Sequence, residues 1–145
     1  MILVDANLLH YAHHAKAEQQ EKSRVWLKEA LSGPDLVRFA WLTLWAFLRI
    51  ATNLRVFDRP LSASEAEAAI SSWLAQPAAG ILKPGERHRD LLRGLVRDGR
   101  TAGALVMDAV LAAIALEHGA RLCTTDRDFS RFPGLRWTNP LVGDR

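Results

Sequence analysis

Short apolar segments alternate with stretches of helical spacing from one end of this chain to the other, and that alternation constrains the fold more than any other feature. The apolar segments cover residues 1–5, 36–40, 79–83, 121–125 and 135–138. Each has the length of one buried strand. Strands separated by helices do not form hairpins; they pair in parallel through right-handed crossovers. The expected architecture is an α/β/α sandwich with a central parallel sheet of about five strands, in one domain spanning residues 1–145.

Local signals place the helices. Residues 18–31 are helical by spacing, with Val25, Leu27, Ala30 and Leu31 inward, and Gly33-Pro34 stops them. Leu42 to Ala51 reads as a second helix. Ser62-Ala-Ser-Glu65 is a capping-box pattern and opens a third, carrying Ile70, Trp73 and Leu74 inward. Asp5-Ala-Asn7 opens an apolar helical stretch through Leu8, Leu9, Tyr11 and Ala12, and residues 86–98 and 104–118 read as two more helices, the last closed by Gly119.

Composition removes several classes of protein. Hydrophobic residues make up 49% and charged residues 24% of the 145, ordinary globular values. The one cysteine, Cys123, allows no intrachain disulfide. The longest apolar run, near residues 102–116, is interrupted by Asp108 and too short to span a bilayer. With no basic leader before it, the chain reads as soluble and cytoplasmic. A net charge of +3 permits nucleic-acid binding without arguing for it.

The chemistry follows from where carboxylates fall. Parallel sheets bind ligands beyond the carboxyl ends of their strands. Asp5 ends the first strand, and Asp126 and Asp128 follow the strand at 121–125. Alone, Asp5 or Asn7 reads equally well as a helix cap, and Asp126 and Asp128 as an acidic turn. Asp108 shifts the balance, because it is the only charge in Ala104-Leu-Val-Met-Asp108-Ala-Val-Leu-Ala-Ala-Ile-Ala-Leu116. A buried carboxylate requires a cation, a donor or a metal. Carboxylates gathered in one place repel until a bound cation or raised pKa values relieve them. An all-oxygen set without a Cys or His cluster favours Mg²⁺, or Mn²⁺, over zinc. Such a set suits phosphodiester hydrolysis.

These residues also carry a family resemblance. Gly103 to Gly119, followed by Leu122-Cys-Thr-Thr-Asp126-Arg-Asp128-Phe129, closely resembles the C-terminal half of VapC-type toxins of the PIN family. Val4-Asp5-Ala-Asn7-Leu-Leu looks like that family's first motif, and Phe47 to Phe57 like its second block. The resemblance implies a PIN fold and Mg²⁺-dependent endoribonuclease activity at an acidic site. It implies a VapB-type antitoxin as partner, an RNA substrate, and a homodimer. Carried over by position, Asp5, Asp108 and Asp126 are metal ligands, Asp128 a supporting acid, and Thr124 a hydroxyl that orients a carboxylate or water. One departure stands out: the family's usual glutamate, three residues before Arg49, is replaced here by Ala46. The site then rests on four aspartates and leaves one or two metals open.

Other features have plainer readings. Arg89, Arg93, Arg97 and Arg100 form a near-helical stripe, either an RNA surface or a solvated face. Trp41, Trp45, Trp26 and Trp73 read as core or dimer packing rather than base-stacking platforms. His13-His14 reads as surface, and Arg49 as paired with an acid. Two competing functions remain: a non-catalytic RNA- or protein-binding module, with Ala46 marking lost catalysis, and a phosphatase of the haloacid dehalogenase type. The second expects Asp-x-Asp after strand one, where this chain has Asn7.

Overall fold

The computed structural model describes residues 1–14 and 17–142. The strands are β1 (Ile2–Val4), β2 (Val37–Phe39), β3 (Ala79–Ile81), β4 (Arg121–Cys123) and β5 (Trp137–Thr138). The helices are α1 (Ala6–His14), α2 (Ala17–Ser32), α3 (Trp41–Ala51), α4 (Ala63–Leu74), α5 (His88–Asp98) and α6 (Leu105–His118). A 3-10 helix covers Arg127–Arg131. The five strands form one sheet in the order β3-β2-β1-β4-β5, parallel throughout.

Side-chain alternation divides the core. Leu3 and Leu122, paired across β1 and β4, face one side with Ala109, Ala112, Ala113 and Leu95 of α5 and α6. Val4, Val37, Phe39 and Cys123 face the other, against Leu8, Leu27, Phe47 and Trp73 of α1 to α4. The result is the expected three-layer sandwich. Alanines on the buried face of α6 let that helix lie close against the sheet. Gly119 ends it in the left-handed region at φ 65°, which a side chain would disfavour. The capping box at Ser62 forms as read: Ser62 accepts from the Glu65 N–H at 3.1 Å, and Glu65 Oε1 accepts from the Ser62 N–H at 3.0 Å.

Several positions depart from the sequence reading. Val25 is exposed, and Ser23 is buried in its place, donating its hydroxyl to the Leu8 carbonyl at 2.6 Å. A side-chain hydrogen bond to a neighbouring helix is invisible to hydrophobic periodicity. Trp41 and Trp45 are 41% and 65% exposed on α3, which removes the core half of the core-or-dimer reading and leaves dimer packing untouched. His13 is half-buried rather than on the surface, its ring against Phe47 and Trp73. The His14 side chain lies outside the described residues. Arg49 is exposed and forms no ion pair among the described residues. Arg38, which interrupts β2, is half-buried and donates to the Ala78 carbonyl at 2.9 Å, its guanidinium lying over Gly80.

Candidate metal centre at the switch point of the sheet

From β1 the chain crosses to β2 and β3 on one side, then returns to lay β4 on the other side of β1. The strand order therefore reverses between β1 and β4, the place where parallel sheets bind ligands beyond the carboxyl ends of their strands. The register fixes what lines it. Val4 pairs with Cys123, so Asp5 and Thr124 emerge side by side. The Asp5 N–H donates to the Cys123 carbonyl at 3.0 Å, extending the ladder to the site's edge.

Two donors hold the Asp5 carboxylate. The Ala6 N–H donates to Oδ1 at 2.7 Å, and the Thr124 hydroxyl donates to Oδ2 at 2.7 Å. Asp5 thus accepts from the first backbone N–H of α1 and from Thr124 together. Thr124 is fully buried, and its oxygen accepts from the Asp126 N–H at 3.0 Å and from Asn7 Nδ2 at 3.4 Å. Asp126 in turn caps the 3-10 helix, its Oδ1 accepting from the Asp128 N–H at 2.8 Å.

Asp108 approaches the same place from the first turn of α6. Burial pushes its carboxyl up, and the charges of Asp5, Asp126 and Asp128 push it further, to about 6; Arg131 opposes them. Asp5 is also raised, chiefly by burial and in small part by Asp126, against the lowering effect of its bonds from Thr124 and Ala6. All four aspartates singled out in the sequence therefore share one electrostatic neighbourhood. Asp128 stands apart in exposure: it lies on the surface, 4.0 Å from the Arg131 guanidinium. Ala46 is half-buried on α3 and brings no carboxylate.

Sequence reading missed Arg131. It donates from Nε to the Asp128 carbonyl at 3.2 Å. Its signal was the three-residue spacing from Asp128, which one 3-10 turn brings to the same side. The arginine stripe is partly self-neutralised: Arg93 pairs with Asp90 at 3.3 Å and Arg97 with Asp98 at 2.8 Å. Arg100 lies beyond α5, at φ 49°.

Among the described residues no three His, Cys, Asp or Glu side chains are drawn tightly enough to form a ready-made metal cage. The donor chemistry nonetheless fits a hard divalent cation. Asp5, Asp108 and Asp126 offer only oxygen, and their mutual repulsion is of the kind that a cation relieves.

A model of the PIN domain family matches residues 2–135. The chain belongs to the PIN-domain family. Curated relatives place this PIN domain within the VapC group. Ribonuclease VapC37 of Mycobacterium tuberculosis (strain ATCC 25618 / H37Rv) is 45% identical over 140 residues, covering 97% of each chain. Ribonuclease VapC33 of the same strain is 38% identical over 141 residues, covering 97% of this chain and 99% of the relative. The fold matches VapBC-1 from nontypeable Haemophilus influenzae with a TM-score of 0.69 at 20% identity, covering 98% of this chain and 100% of that one. VapBC2 from Rickettsia felis, bound to a DNA fragment from their promoter, matches with a TM-score of 0.67 at 14% identity, over 96% and 98%. Among the described residues no helix of this PIN domain is long and apolar enough to cross a membrane.

Proposed function

We propose that this PIN domain is a Mg²⁺-dependent endoribonuclease, with Mn²⁺ as an alternative ion, that hydrolyses RNA phosphodiester bonds as the toxin of a toxin–antitoxin pair. The observation that carries the reading is the position of Asp108. A carboxylate in the first turn of a largely buried helix lies near enough to Asp5 and Asp126 for their charges, added to burial, to push its pKa to about 6. Stability alone disfavours such a grouping, and functional sites are where it recurs.

In this reading Asp5, Asp108 and Asp126 hold the ion, and Asp128 is a supporting acid at the rim. A bound divalent ion supplies Lewis acidity, which lowers the pKa of water and steadies a leaving oxygen. The chain's own residues prepare the site for it. Thr124 donates its proton to Asp5 Oδ2 and Ala6 donates to Oδ1, so the carboxylate is fixed in direction, and the two bonds oppose the burial that raises its pKa. Asp108, with its pKa pushed up to about 6, gives up its proton as the site takes up positive charge.

The relatives are named ribonucleases, and the structural neighbours are VapBC complexes. They support a VapB-type antitoxin and a second copy of the chain as partners. Induced expression tests the reading: wild-type protein arrests growth, and Asp5→Ala and Asp108→Ala abolish the arrest. Full toxicity in both variants overturns it. Ala46 favours one other reading, a PIN-fold binding module without catalysis. That reading requires intact RNA binding with no uptake of Mg²⁺ or Mn²⁺, which a metal titration decides.

A further inference from the structure

The hydrogen-bond network around Thr124 assigns a second layer to the site. Asp5, when ionised, can only accept, so Thr124 commits its single proton to Oδ2 at 2.7 Å. The remaining lone pairs of Thr124 accept from the Asp126 N–H at 3.0 Å and from Asn7 Nδ2 at 3.4 Å. These bonds also fix the Asn7 amide. Turned over, it would set its oxygen against the lone pairs of the Thr124 oxygen.

Asn7 Oδ1 is then the odd atom. It is buried and meets no donor among the described residues. An unsatisfied buried acceptor costs about 1–3 kcal/mol. Asn7 lies in the first turn of α1, two residues after Asp5, so the unused acceptor belongs to the same end of the sheet as the carboxylates. A chain that needed only a cap here could use Asp5 alone, since Asp5 already accepts from the Ala6 N–H.

We propose that Asn7 is a positioning residue with two duties: its Nδ2 steers the Thr124 hydroxyl onto Asp5, and its Oδ1 accepts an O–H donor that arrives as water of hydration on the divalent cation. The proposal rests on the reading of the acidic site as a metal centre. It places Asn7 in the outer shell, bonding to water and to Thr124 and never to the ion. Loss of such outer-shell partners typically weakens metal binding about 10- to 100-fold.

Asn7→Leu is the informative change, because leucine keeps the volume and removes both polar duties. The probe is Mn²⁺ alone, titrated calorimetrically into the full chain without RNA, beside thermal unfolding in EDTA. The expected result is Mn²⁺ affinity lower by about 10-fold or more, with an EDTA melting temperature equal to or above that of the wild type, since the orphaned acceptor has gone. Asn7→Ala serves as a second variant and is expected to show the same loss of affinity even where its stability falls. Wild-type Mn²⁺ affinity in folded Asn7→Leu overturns the proposal. So does wild-type Mn²⁺ affinity accompanied by a raised KM for RNA, which would assign the acceptor to a substrate hydroxyl. Failure of the wild-type protein itself to bind Mn²⁺ overturns the metal-centre reading instead, and is visible in the same experiment.

Discussion

Replacing Asp108 with asparagine should stabilise the metal-free protein at neutral pH while abolishing its activity. Asp108 is raised from its ordinary 3.8 to about 6 by burial and by three neighbouring carboxylates. Fully felt, that rise corresponds to about 3 kcal/mol. Asp108 is only half-buried, and solvent screening reduces the figure to about 1–2 kcal/mol. The sign follows from linkage. A carboxyl whose folded pKa lies above its unfolded value favours the fold below pH 3.8, and that contribution is lost as pH rises towards 6. Above that window the wild type carries an ionised carboxylate in an unfavourable place, and the neutral amide of the variant removes that charge. In EDTA at pH 7.5, Asp108→Asn should therefore melt about 3–6 °C higher than the wild type. The gap should narrow as pH falls towards 4. Added Mn²⁺ should raise the wild-type melting temperature and leave the variant nearly unchanged, because only a state that binds ligand gains stability from it. Scanning calorimetry or fluorescence-monitored melting reads all three. An Asp108→Asn protein that melts at or below the wild type at pH 7.5, or a gap that does not vary with pH, refutes the reasoning.

Three other substitutions probe the frame around the site. Thr124→Val keeps the volume but strips the Asp126 N–H of its acceptor and Asp5 of one of its two donors; it should cost about 1–3 kcal/mol in thermal unfolding, with Mn²⁺ affinity lower by about 10-fold or more in titration. Ser62→Ala removes one half of the capping box on α4 and should cost about 1 kcal/mol in denaturant unfolding, with RNA cleavage per folded molecule unchanged. Gly99→Ala would put a Cβ 2.7 Å from the Leu95 carbonyl and 3.2 Å from the Phe132 ring; denaturant melts should show a loss of about 1–3 kcal/mol, and a neutral result would mean that the turn after α5 relaxes freely.

The parts of this molecule visible in the sequence were those encoded by short-range rules. β1 is apolar up to Asp5, the 104–116 run contains one charge, Ser62 and Glu65 have capping spacing, and Gly119 follows a helix. Each is read from one or a few neighbours, and each stands in the fold as expected. Asp5, Asp126 and Asp128 could be assigned to one edge because a parallel sheet sends every strand end to the same side, and Asp108 was singled out as the one charge in an apolar helix. What the sequence hid depends on tertiary partners. The burial of Ser23 requires the Leu8 carbonyl on another helix. The outward face of Trp45 is set by how α3 lies against α1 and α4, since Phe47 and Leu44 take the inward positions. Arg131 enters the site because Asp126 caps a 3-10 turn, and no periodicity argument reports such a turn. The division of labour within the site was equally hidden: Asp5 is held by two donors, Asp108 is left to repulsion, and Asp128 sits exposed beside Arg131.

The central proposal is that the Asp5–Asp108–Asp126 site cleaves RNA with the help of a divalent ion. The direct measurement incubates purified protein with a single-stranded RNA in Mg²⁺ or in EDTA and maps the product ends, for the wild type and for Asp5→Ala and Asp108→Ala. Cleavage by the wild type in Mg²⁺, with none in EDTA and none by either variant, is the predicted result. Equal cleavage in EDTA, or undiminished cleavage by both variants, would contradict it.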